Sequence, residues 1–149
     1  MIETISGVIT AIVVGVLALL LDKYFTAKLF AAVNLVAIGF IYVGFSLKQN
    51  PVEAIVIEVA VALIFSFMAM IGYKRNGALI AWGIILHGVW DIFHHQGLPI
   101  QTDIPGYWPT YCFTIDIIDG LFFLFLFKAQ IRRSQLPSNS ISKMASSNI

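Results

Sequence analysis

His87-Gly-Val-Trp-Asp91-Ile-Phe-His94-His95 sets imidazoles and a carboxylate at spacings of four and three residues, at the end of an apolar run. At about 100° per residue, His87, Asp91 and His94 share one narrow helical face, with His95 on its shoulder. Cys112-Phe-Thr-Ile-Asp116-Ile-Ile-Asp119 repeats the spacing of four and then three, so its polar groups also share a face. Imidazole with carboxylate suits zinc, iron or manganese, and Asp-x-x-His places two ligands on one face much as Glu-x-x-His does in di-iron bundles. The expected metal ligands are Glu58, His87, Asp91, His94, His95 and Asp116. Asp91, Asp116 and Asp119 are the expected catalytic carboxylates around a cation-activated water. Two other readings stay open: a carrier that picks up and releases a proton or divalent cation, and interhelical glue in which Asp91 pairs with His87 or His95 four residues away.

The elements that position these groups belong to a membrane. Hydrophobic residues make up 59% of the chain and charged residues 11%, and the mean hydropathy is +0.89. Soluble domains carry about a quarter charged residues, so the solvent of this chain is lipid. Its 149 residues suffice for one bundle of short-looped spans. A net charge of +1 gives no field that would attract nucleic acid. Cys112 is the single cysteine, so no intramolecular disulfide forms; it is either a small buried hydrophobe or a soft ligand. There is no phosphate-cradling glycine loop, no Gly-x-Ser-x-Gly elbow and no paired cysteine motif.

The predicted fold is all-α, a polytopic transmembrane bundle of about five spans: Ile5 to Leu21, Thr26 to Leu47, Val52 to Tyr73, Ala78 to His95, and Thr110 to Phe127. Gly39 and Gly44 are places where a neighbouring helix can approach. Lys48-Gln-Asn-Pro51 and Lys74-Arg-Asn-Gly77 are turns, and the prolines and glycines between Gln96 and Pro109 form the one long loop. Residues 1–129 form a single transmembrane domain and 130–149 a disordered cytoplasmic tail. Glu53 and Glu58 point about 140° apart, so only one faces the interior, and the deeper Glu58 is expected there. Lys23, Lys28, Lys74, Arg75, Lys128, Arg132, Arg133 and Lys143 fall on one side and Lys48 alone on the other. The positive-inside rule then puts the amino terminus outside the inner membrane and the tail in the cytoplasm. The partners are membrane lipids and no nucleic acid, and the sequence is compatible with a homo-oligomer.

Counting depth along the fourth and fifth spans brings Glu58, His87, Asp91, His94, His95, Asp116 and Asp119 to one region in the outer half of the bundle. A lone carboxylate at mid-bilayer costs about 2.5 to 3.5 kcal/mol on insertion scales, so several together require protonation, pairing with histidine, or a bound cation. The cation answers most completely, which implies a metal-dependent membrane enzyme acting on a lipidic or small hydrophobic substrate.

The His87-to-His95 motif, followed by Gly97-Leu-Pro-Ile100 and by Cys112 with Asp116, resembles a family of small bacterial integral-membrane proteins classed as a domain of unknown function. Asn34 and the small residues up to Gly44 resemble it too, and the resemblance covers about residues 25 to 127. It implies a fold and a membrane address. Asp91-Ile-Phe-His94-His95 also resembles the His-x-x-His-His box of membrane di-iron desaturases, with aspartate for the first histidine, although those families carry several such boxes. The sharing of histidine and aspartate across helices is similar to membrane zinc hydrolases of the ceramidase type.

Overall fold

The computed structural model describes residues 1–48, 51–94 and 102–135. Five helices follow one another: α1 (Ile2–Leu21), α2 (Ala27–Ser46), α3 (Val52–Lys74), α4 (Gly77–Ile92) and α5 (Trp108–Gln135). No strand occurs among the described residues. The turns carry the chemistry that starts helices. Asp22 Oδ1 accepts from the Ala27 N–H at 2.6 Å and Thr26 Oγ1 from the Leu29 N–H at 3.2 Å, capping α2. Pro51 precedes α3, and Asn76 Oδ1 accepts from the Ala78 N–H at 3.0 Å to open α4.

Successive helices run up and down. The carboxyl end of α4 marks one end of the bundle, the histidine end. The other collects Lys23, Lys28, Lys74, Arg75, Lys128, Arg132 and Arg133 and is the basic end. α5 packs against α4 and α1, α3 against α2 and α4, and α4 also touches α2, so α4 is the enclosed helix. Glycines set its distance from α5. A Cβ on Gly120 would stand 3.1 Å from the Ala81 carbonyl and collide with Ile85, and one on Gly88 would stand 3.1 Å from Asp116 Cβ. Gly39 packs closely on Ala62 and Phe65 as expected, whereas Gly44 faces open space. Leu35, Ile80, Ile84 and Phe123 form the centre of the apolar core.

α1, α2, α3 and α5 are long and apolar enough to cross a membrane, with hydropathies of 2.6, 2.0, 2.6 and 1.7. Large apolar side chains such as Ile12, Ile64, Phe67 and Phe125 are exposed on their outer faces, as lipid-facing side chains must be. This is a membrane protein. α4 differs from the expected span Ala78 to His95. Its 16 residues give about 24 Å of rise against a hydrocarbon core of about 30 Å. It closes with 3₁₀-type bonds, from the Phe93 N–H to the Trp90 carbonyl (3.0 Å) and from the His94 N–H to the Asp91 carbonyl (3.1 Å). α5 in turn continues past the expected end at Phe127 to Gln135. No residue before Pro137 breaks the helix, and Arg132 and Arg133 suit the negative end of its dipole. The rest of the tail, His95 and the Gly97-to-Ile100 segment lie outside the described residues.

Candidate metal centre

The polar residues of the histidine end separate into two clusters joined by a tyrosine. The first is a clasp. Glu58 Oε1 lies 2.7 Å from His94 Nε2 and accepts from the Thr102 hydroxyl at 2.7 Å, while Oε2 accepts from the Trp90 indole N–H at 3.4 Å. His94 Nδ1 sits 3.1 Å from the Trp90 carbonyl, which can only accept, so Nδ1 carries a proton. One further proton is shared between Nε2 and Glu58. The pair is therefore neutral overall, whichever group holds that proton. Every polar atom of the pair has a partner.

The second cluster is not satisfied. His87 Nδ1 lies 2.6 Å from Asp116 Oδ2 and 3.9 Å from Asp91 Oδ1. His87, Asp91 and Asp116 each offer an atom such that all three lie within 4.8 Å of one another. His87 is 2% exposed, Asp91 0% and Asp116 1%. Yet His87 Nε2 and Asp91 Oδ2 are buried without a hydrogen-bond partner, and so are both carboxyl oxygens of Asp119. Buried polar atoms are almost always bonded, and leaving one unpaired costs about 1 to 3 kcal/mol. Here several are gathered within one bundle.

Tyr42 joins the clusters. Its hydroxyl donates to Asp91 Oδ1 at 2.7 Å, and its ring stacks on His94 at 4.0 Å between centroids and 11° between planes. Phe65 meets the His87 ring edge-on at 5.2 Å, closing the apolar side.

Of the expected ligands, His87, Asp91 and Asp116 come together. Glu58 and His94 face each other in the clasp instead, because His94 lies one turn beyond Asp91 toward the histidine end, level with Glu58. Asp119 is fully buried but stands apart from the three-residue group. Glu58 is the inward carboxylate and Glu53 is exposed, as the geometry of α3 requires. Cys112 is buried outside the group. Tyr42 and Thr102 are absent from the sequence expectations. Depth counting could have found Tyr42, which lies one turn before the end of α2, whereas nothing in the loop distinguishes Thr102.

In chemical terms the second cluster presents an imidazole and carboxylates, buried, with lone pairs to spare, and so could hold a metal ion. No curated protein and no solved structure matches the chain. A family match does exist, and it reaches further than the resemblance over residues 25 to 127, taking in all of α1: over residues 2–130 the chain matches the Family of unknown function (DUF6010), and it belongs to that family.

Proposed function

We propose that the protein is a metal-dependent membrane enzyme that holds a divalent zinc, iron or manganese ion at His87, Asp91 and Asp116 and acts on a lipidic or small hydrophobic substrate. The observation that carries this reading is the buried convergence of His87, Asp91 and Asp116, whose donor atoms lie within 4.8 Å, with Asp91 Oδ2 left without a partner. His87 Nδ1 faces both carboxylates, 2.6 Å from Asp116 Oδ2 and 3.9 Å from Asp91 Oδ1, so a cation shared by the three would bind there in place of a proton. Charge points the same way. His94 balances Glu58, so among the described buried residues His87 alone stands against Asp91, Asp116 and Asp119. Even as imidazolium it cannot neutralise all three, so the others take up either a proton or a cation.

A cation bound there supplies Lewis acidity to a polar substrate group or a water. The chain does the rest. Tyr42 fixes one oxygen of Asp91 and so orients the other. Tyr42 and Phe65 flank the His87 ring and hold its plane. Asp119, bonded at neither oxygen, is available to take up or return a proton. With the basic end cytoplasmic by the positive-inside rule, the site lies in the outer half of an inner-membrane bundle, where a hydrophobic substrate enters sideways between helices.

A carrier is the second reading, and Asp119 is the observation that favours it, because an unpartnered carboxyl three residues beyond Asp116 on α5 is the next step of a path toward the basic end. One set of measurements separates the readings. The full chain is stripped of metal, reloaded with zinc, iron or manganese, and given ester- and amide-linked lipids in vesicles, with cation flux followed in parallel. Metal-dependent product formation, lost in Asp91→Asn, is expected. Flux without product would replace the enzyme by a carrier. Metal content unchanged in folded His87→Gln and Asp91→Asn would remove the metal centre altogether.

A further inference from the structure

The basic end carries two recesses, one lined by Lys28 and the other by Tyr73, the ring that Lys28 faces. One, of about 300 Å³, opens between α2, α4 and α5 and is lined by Lys28, Arg75, Asn76 and Gly77. The other, of about 510 Å³, runs between α2 and α3 over Ala32, Val36, Ala37 and Ala69 and exposes no polar surface. Lys28 Nζ lies 5.9 Å from the centre of the Tyr73 ring, and Tyr73 lines the apolar recess. The charged and the apolar recess are thus neighbours.

Neither Lys28 nor Arg75 pairs with a carboxylate among the described residues. The amino end of α4 at Gly77 adds the positive end of a helix dipole to the same recess. This is an uncompensated positive site at the edge of a membrane bundle, where basic pockets between helices take anionic head groups. The apolar recess has the dimensions of an acyl chain's upper part. Along α2 it extends from Leu29 to Ala37, about 12 Å of rise, within the roughly 15 Å hydrocarbon depth of one leaflet. It faces outward, so its occupant comes from the bilayer.

We propose that Lys28 and Arg75 bind the phosphate of an anionic phospholipid in the leaflet at the basic end, with one acyl chain lying in the groove between α2 and α3. A zwitterionic lipid of the same chains fits the groove equally but brings a cationic head group to two cations, so the site discriminates by charge.

Native mass spectrometry of the full chain released from micelles doped with phosphatidylglycerol or with phosphatidylcholine of matched chains tests this. Preferential retention of phosphatidylglycerol is expected. Lys28→Ala and Arg75→Ala should each weaken it about fivefold, the worth of one cation near a membrane surface. Ala37→Trp, at an exposed position that tolerates bulk, should reduce retention of both lipids by filling the groove. Lys48→Ala, at the histidine end, should change nothing. Equal retention of the two lipids, or an equal loss in Lys48→Ala, would overturn the proposal. So would displacement of phosphatidylglycerol by an equal concentration of inorganic phosphate, which would make this a phosphate site and not a lipid site.

Discussion

Replacing Tyr42 by phenylalanine removes one oxygen and keeps the ring. That oxygen donates to Asp91 Oδ1 at 2.7 Å, while the ring stacks on His94 at 4.0 Å and lies 6.0 Å from His87. Tyr42 is 1% exposed, so no bulk water takes the vacated place. A hydrogen bond to a charged group is worth about 1.5 to 3 kcal/mol, and its loss leaves Asp91 free to rotate away from the orientation a cation needs. Outer partners of metal ligands typically contribute a factor of about 10 to 100 in affinity, which agrees with that energy. Tyr42→Phe should therefore weaken zinc binding about 10- to 100-fold in a chelator-competition titration of detergent-purified protein. The folded state should persist, because the stacking surface is unchanged. Tyr42→Leu, which removes the ring as well, should add a loss of stability. Unaltered zinc affinity in folded Tyr42→Phe would refute the reasoning, since Asp91 would then not be a ligand held by Tyr42.

Glu58→Ala should cost about 3 to 5 kcal/mol in thermal or denaturant unfolding, because it strands the buried His94 and the Thr102 and Trp90 donors. Glu58→Gln, with its amide nitrogen in the Oε1 place donating to a neutral His94 and to the Thr102 hydroxyl and its oxygen still accepting from Trp90, should cost about 1 kcal/mol and leave metal content unchanged; lost metal in that variant would make Glu58 a ligand. Gly88→Ala touches no polar group, yet its Cβ would meet Asp116 Cβ at 3.1 Å. It should push Asp116 off the site and lower metal affinity by at least the roughly tenfold of an outer-shell change, and full affinity there would show that Asp116 is not needed. Asp119→Leu exchanges a buried, unbonded carboxyl for an apolar side chain and should raise stability by about 1 to 3 kcal/mol while abolishing turnover or flux. A variant that is more stable and fully active would remove Asp119 from the mechanism.

Much of this arrangement was legible in the sequence because helices in lipid leave few choices. Apolar runs bounded by Asp22, Pro51 and Asn76 gave α1 to α3 and the start of α4 to within a few residues. The spacing of His87 to Asp91 and of Cys112 to Asp119 gave the two facing stripes. Position on α3 chose Glu58 over Glu53, since only one of two side chains 140° apart can point inward. What was not legible was which residues on a shared face become partners. A stripe argument gives direction and not pairing, so His94, one turn beyond Asp91, meets Glu58 on α3 and leaves the three-residue group. Depth places Tyr42 one turn before the end of α2, but the partner of its hydroxyl is not legible from an apolar run. Thr102 becomes a donor to Glu58 through a loop whose path no periodicity describes.

The shortness of α4 accounts for the division of labour between the clusters. A helix of about 24 Å enclosed by longer neighbours ends before a bilayer of about 30 Å does, and its last carbonyls would otherwise face hydrocarbon. In lipid such groups must find partners within the protein. The clasp meets that demand: His94 takes the Trp90 carbonyl, and Glu58 takes His94, Trp90 and Thr102. Polar residues that are fully bonded to one another explain their own presence. The group beneath has the same residue types and deeper burial but keeps orphaned lone pairs on His87, Asp91 and Asp119, which a need for packing would have removed. A water, a proton or a cation can satisfy such atoms, and the proposed metal is the one of these that would answer an imidazole and several carboxylates together.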